Sequence, residues 1–127
     1  MNKESFFLIF SAVGVFPVAL AYGAYPNFSL PLLYNIEITS NNLSNVFRAV
    51  MGLYVAFNIF WVLGALNSSL KLSAMWSLFI FYSGAGAGRV LSIIFDGAPD
   101  IIFMLYLIIE ILGSAISFWL IRGFKNN

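Results

Sequence analysis

The stretch LSNVFRAVMGLYVAFNIFWVLGAL, Leu43 to Leu66, runs for twenty-four residues with a single charge, Arg48. A helix rises about 1.5 Å per residue and bilayer hydrocarbon is about 30 Å thick, so about 20 apolar residues make one crossing. The stretch therefore reads as a transmembrane helix. Three more segments of similar character lie around it, at about Phe6 to Ala24, Leu72 to Phe95 and Ile101 to Ile121. The first contains Gly14 and Pro17, which are expected to kink it. Its basic Lys3, apolar run and small residues Ala19, Ala21 and Ala24 also suit a signal peptide. Since the chain is met from Met1 onward, we expect it to stay uncleaved as the first helix.

The joints are marked by breakers. Asn67-Ser68-Ser69 with Lys71 separates the second span from the third, and Asp96-Gly97-Ala98-Pro99-Asp100 separates the third from the fourth. Between the first two spans, Tyr25 to Asn42 carries Pro26, Pro31, Glu37 and the Asn41-Asn42 pair around the short apolar run Leu30 to Tyr34. It is too broken to cross, and is expected to lie in the interface over the outer end of the helices. Four spans in 127 residues leave room for no separate soluble domain, so residues 1–127 read as one transmembrane domain.

Composition agrees. Of the chain, 61% is hydrophobic and 9% charged, and the mean hydropathy is +0.94, well above a soluble domain. Six basic and five acidic residues are scattered without a basic stripe, so nucleic acid is not an expected partner. With no cysteine and no histidine there is no disulfide, haem or common zinc site to expect; neither metal nor cofactor is anticipated. Lys3, Lys71, Arg122 and Lys125 fall on one side if four helices alternate, and Glu37, Asp96 and Asp100 on the other. By the positive-inside rule both termini are then cytoplasmic. The expected fold is all-α, an integral membrane four-helix bundle, N-in/C-in. No internal repeat supports an inverted-repeat transporter.

Three charges stay inside the spans: Arg48, Arg89 and Glu110. A charge centred in a bilayer costs from about 2.5 kcal/mol upward, so each needs a partner or a wet cavity. Arg48 and Arg89 lie roughly 8 to 10 Å from the outer ends of their spans, by residue rise, with Glu110 nearer the middle. Arginine reach allows them to meet Glu110 or Asp96. Polar residues also recur at helical spacing: Asn41, Asn45, Arg48 and Gly52; Arg89, Ser92 and Asp96; Tyr106, Glu110, Ser114 and Ser117. The expected site, ligand-binding or structural, therefore comprises Asn45, Arg48, Arg89, Ser92, Asp96 and Glu110, facing outward. Gly84 and Gly88, at GxxxG spacing, read as a helix-packing face. Trp61, Trp76, Trp119 and the tyrosines near span ends read as interfacial belts.

The run Asn42 to Tyr54 with its Phe47-Arg48-Ala49-Val50-Met51-Gly52-Leu53-Tyr54 core, then Trp61, Gly88-Arg89-Val90-Leu91-Ser92, Asp96-Gly97-Ala98-Pro99 and Glu110, resembles the DUF4345 family of small bacterial four-helix membrane proteins. The likeness extends from the Tyr22-Gly23 and Pro26 region to Glu110 and implies the topology, the site positions and a place in the bacterial inner membrane. It implies no activity, since the family is named for having none assigned. A looser, architectural likeness runs to DoxX-like and EXPERA proteins, some of which handle sterols or lipids; fold does not carry function with it.

No catalytic constellation stands out, which favours a non-enzymatic protein in the lipid bilayer: a binder of a lipidic ligand, or an accessory subunit of a larger membrane complex. The alternatives are an enzyme acting on a lipid-like substrate, with Glu110 or Asp96 as acid or base and Arg48 or Arg89 holding an anionic group, or a proton-coupled carrier working as a homo-oligomer. A cavity of a few hundred cubic ångströms lined by these residues separates a ligand site from a purely structural clamp.

Overall fold

The computed structural model describes residues 1–124, so Lys125 lies outside the described residues. The chain is all-α, with α1 at Lys3–Gly23, α2 at Pro26–Tyr34, α3 at Asn41–Leu66, α4 at Ser68–Asp96 and α5 at Ile101–Arg122. The four longer helices are long and apolar enough to cross a membrane.

Local chemistry sets the helix ends. Asn2 Oδ1 accepts from Ser5 N–H at 2.8 Å, Ser40 Oγ from Leu43 N–H at 3.3 Å and Asn67 Oδ1 from Ser69 N–H at 3.0 Å. Each satisfies a donor that the first helical turn leaves without an internal acceptor. Gly97, with φ +92°, ends α4 in a conformation that side-chain-bearing residues rarely adopt. The joint between the second and third spans is tighter than its Asn-Ser-Ser sequence suggests. Only Asn67 lies outside a helix there, and Ser68 to Lys71 form the first turn of α4.

The Tyr25 to Asn42 segment also holds more helix than its prolines suggest. Pro26 opens α2 at a position where a missing N–H costs nothing. Asn35 closes α2 in the left-handed region, where the Ile36 N–H reaches the Leu30 carbonyl at 3.1 Å. Nine residues of helix rise only about 14 Å. Asn41 and Asn42 already belong to α3.

Contacts between helices fix their directions. The start of α1 meets the end of α3, where Ser5 Oγ donates to the Ala65 carbonyl at 2.9 Å, and the end of α1 meets the start of α3 at Gly23 and Phe47. Gly64 faces Ala74 across the α3–α4 turn, and Ser83 and Ser114 share a hydrogen bond of 2.6 Å between α4 and α5. Successive long helices therefore run antiparallel, and the start of α1, the start of α4 and the end of α5 share one end of the molecule.

Two apolar clusters fill the interior. Leu8, Trp61, Met75, Leu78 and Leu120 pack at the end holding the start of α1. Tyr22, Leu30 and Tyr34 pack at the other with Phe47, Phe103 and Tyr106, so α2 covers that end. Phe10, Ile80, Leu91, Ile94, Ile108 and Leu112 point outward. A molecule apolar inside and out suits hydrocarbon as its solvent.

Candidate functional site

Glu110 lies on the face of α5 turned to α4, opposite Gly86: a Cβ built on Gly86 would come to 3.7 Å from that of Glu110, an ordinary contact. Three residues on from Gly86, close to one helical turn, Arg89 Nε donates to Glu110 Oε1 at 2.7 Å. The Glu110 side chain is 10% exposed and that of Arg89 21%. This is the one ion pair among the described residues. Within a low-dielectric apolar interior, pairing is what makes both charges tolerable.

Aromatic groups surround the pair. The Arg89 guanidinium carbon lies 5.4 Å from the Tyr106 ring centre and 5.7 Å from that of Phe103, within cation–π range. The Tyr22 side chain also approaches the guanidinium. Tyr106 and Tyr34 share a hydrogen bond of 2.8 Å between their hydroxyls, joining α5 to α2. Burial, and then that bond, pushes the Tyr34 phenol well above its ordinary range, so it stays neutral. Lower in the same interior, the Tyr82 hydroxyl donates to Ser11 Oγ at 2.9 Å.

A cavity of about 340 Å³ opens on this arrangement, with Arg89, Glu110, Tyr54, Tyr82, Tyr106 and Ser11 in its wall. Arg89 also borders a second space of about 440 Å³ with Ser92, Pro99 and Phe103, and Glu110 a groove of about 500 Å³ between α4 and α5. Glu110 engages a single nitrogen of a guanidinium that carries five N–H donors. The pair thus stands at a junction of three spaces, and its planar donor fork can serve a further acceptor oxygen.

Of the other polar residues singled out in the sequence, Ser92 borders that second space beside Arg89, and Arg48, Asp96 and Asn45 make no contact with the pair. Arg48 joins no carboxylate among the described residues: its Nη1 donates to the Gly23 carbonyl at 2.9 Å and to the Ala24 carbonyl at 3.4 Å, closing the end of α1 where a cation complements the helix dipole. Asp96 accepts from Ser92 Oγ at 2.9 Å within the exposed last turns of α4. Asn45 is exposed on α3. Gly84 and Gly88 have nothing within 4 Å of the position a Cβ would take, and the close approach between α4 and α5 falls at Gly113, which lies against the Tyr82 ring.

Trp61 does not belong to an interfacial belt. It is wholly buried, and its Nε1 donates to Ser77 Oγ at 3.0 Å. The aromatic cage of Tyr22, Tyr34, Tyr54 and Tyr106 was equally hidden in the sequence, because tyrosines near span ends suit a belt as well as an interior. Only Tyr106, one turn from Glu110, carried a spacing signal.

No curated protein and no solved structure matches the chain. The family model described as "Domain of unknown function (DUF4345)" matches residues 4–121, which takes in every site residue above. The chain belongs to the DUF4345 family, whose function is unknown.

Proposed function

We propose that the protein is an integral membrane four-helix bundle with both termini cytoplasmic, and that it binds a small, largely apolar molecule in the interior cavity without transforming it. The molecule's acceptor oxygen, a carbonyl, hydroxyl or acidic group, takes hydrogen bonds from Arg89 while Glu110 holds the guanidinium in place. The observation that carries this reading is the cavity of about 340 Å³ with the Arg89–Glu110 pair in its wall. A clamp that only fixed helix packing would need no adjoining space. The volume lies at the lower end of the range of small-molecule sites, and apolar walls with a few convergent polar groups are their usual chemistry. Glu110 is committed to Arg89, which favours binding over acid or base catalysis by that carboxylate.

The test is native mass spectrometry of protein extracted gently from its membrane. Wild-type protein should carry a defined non-phospholipid mass that is lost in Arg89→Gln. Equal adducts on the two proteins, or none, would refute the reading.

A second reading, an accessory subunit or homo-oligomer, draws support from Gly84 and Gly88, which present an open small-residue face to the surroundings. Crosslinking in the membrane tests it. Gly84→Leu should abolish a crosslinked species if that face is an interface, and a species insensitive to the substitution counts against it.

A further inference from the structure

The end of the molecule away from Arg89 contains a second polar cavity, of about 790 Å³, where α1 and α4 begin and α5 ends. Glu4 and Lys71 both line it, and they are only 6% and 9% exposed. Neither makes an ion pair or a side-chain hydrogen bond among the described residues, with each other or with anything else. The only buried side-chain N and O atoms without a hydrogen-bond partner among the described residues are those of Asn58, so the charged ends of Glu4 and Lys71 open on the cavity and offer it one acid and one base that do not meet.

The helix ends around the cavity are sorted in the same way. The starts of α1 and α4, capped by Asn2 and Asn67, bring positive dipole ends to this end of the molecule, and the C-terminus of α5 brings carbonyl oxygens. Lys3, also at the cavity, lies 5.1 Å above the Trp119 ring, a pairing typical of headgroup depth. Lys71 and Arg89 are 18 residues apart on α4, about 27 Å by helical rise, so this cavity sits at the far surface of the membrane region.

We propose that this cavity holds the headgroup of a phospholipid bearing both a phosphate and a primary ammonium, with the phosphate at Lys71, Lys3 and the starts of α1 and α4 and the ammonium at Glu4. Phosphate alone would satisfy Lys71 and leave Glu4 unpaired. A cation alone would do the reverse. A quaternary ammonium has no N–H to donate to the Glu4 carboxylate, so phosphoethanolamine chemistry fits better than phosphocholine. The same headgroup chemistry exists free in water as phosphoethanolamine, but a site at the end of membrane-spanning helices is supplied by the bilayer.

The experiment is a titration of delipidated full-length protein in detergent with phosphatidylethanolamine, phosphatidylcholine or phosphatidylglycerol of the same acyl chains, read by native mass spectrometry. Phosphatidylethanolamine should bind about tenfold more tightly than either of the others, a difference of about 1.4 kcal/mol. Lys71→Gln should weaken its binding about tenfold, and Glu4→Gln should abolish its preference over phosphatidylglycerol. The wild-type comparison stands even if a variant fails to fold. Equal binding of all three lipids would overturn the proposal. Displacement of the lipid by equimolar soluble phosphoethanolamine would overturn the bilayer as its source.

Discussion

At the scale of single residues, Arg89 and Glu110 stabilise one another only as long as both are charged partners. Removing one leaves the other in an apolar interior, which for buried pairs costs about 3 to 5 kcal/mol. Arg89→Gln and Glu110→Gln should each lower the thermal midpoint in detergent, and the double substitution should recover part of the loss; a double-mutant cycle measures the coupling. Additive losses would mean that the two side chains do not depend on each other. Glycines divide by what surrounds them. A Cβ on Gly64 would run into that of Ala74, so Gly64→Ala should destabilise by about 1 to 3 kcal/mol. Gly84, with open space beside it, should accept Ala with no loss, since Ala is the better helix former by about 1 kcal/mol. Thermal melts of the two variants side by side check the contrast.

At the scale of elements, the hydrophobic runs revealed the four long helices because a long apolar helix is written continuously along the chain, as in Leu43 to Leu66. The Arg89–Glu110 meeting was legible only as one of several pairings: a charge in such a run needs a partner, and the sequence offered Arg48 beside Arg89 and Asp96 beside Glu110. α2 was less so. Its prolines argue against helix by composition, yet Pro26 occupies the first turn, where no N–H is required. Arg48 was misplaced in the expected polar cluster because its acceptors are main-chain carbonyls of another helix, Gly23 and Ala24, and carbonyls leave no trace in a side-chain pattern. That contact gives an expectation of its own. Arg48→Gln should cost about 1 kcal/mol and loosen the junction of α1 with α2, seen as faster amide exchange around Gly23 and Ala24. Unchanged exchange there would show that the cap contributes nothing.

At the scale of the whole molecule, the antiparallel order of α1, α3, α4 and α5 places Lys3, Lys71 and Arg122 at one end and Asp96 and Asp100 at the other. In the proposed topology those ends lie on opposite sides of a membrane, with the Arg89 cavity between them. The chain contains no cysteine, so single cysteines report cleanly. Ser69 and Asp100 are both exposed, on the turns at either end of α4. In intact cells, a membrane-impermeant thiol reagent should label Asp100→Cys and leave Ser69→Cys untouched until the membrane is opened. Labelling of Ser69→Cys from outside, or equal labelling of both, would contradict that topology.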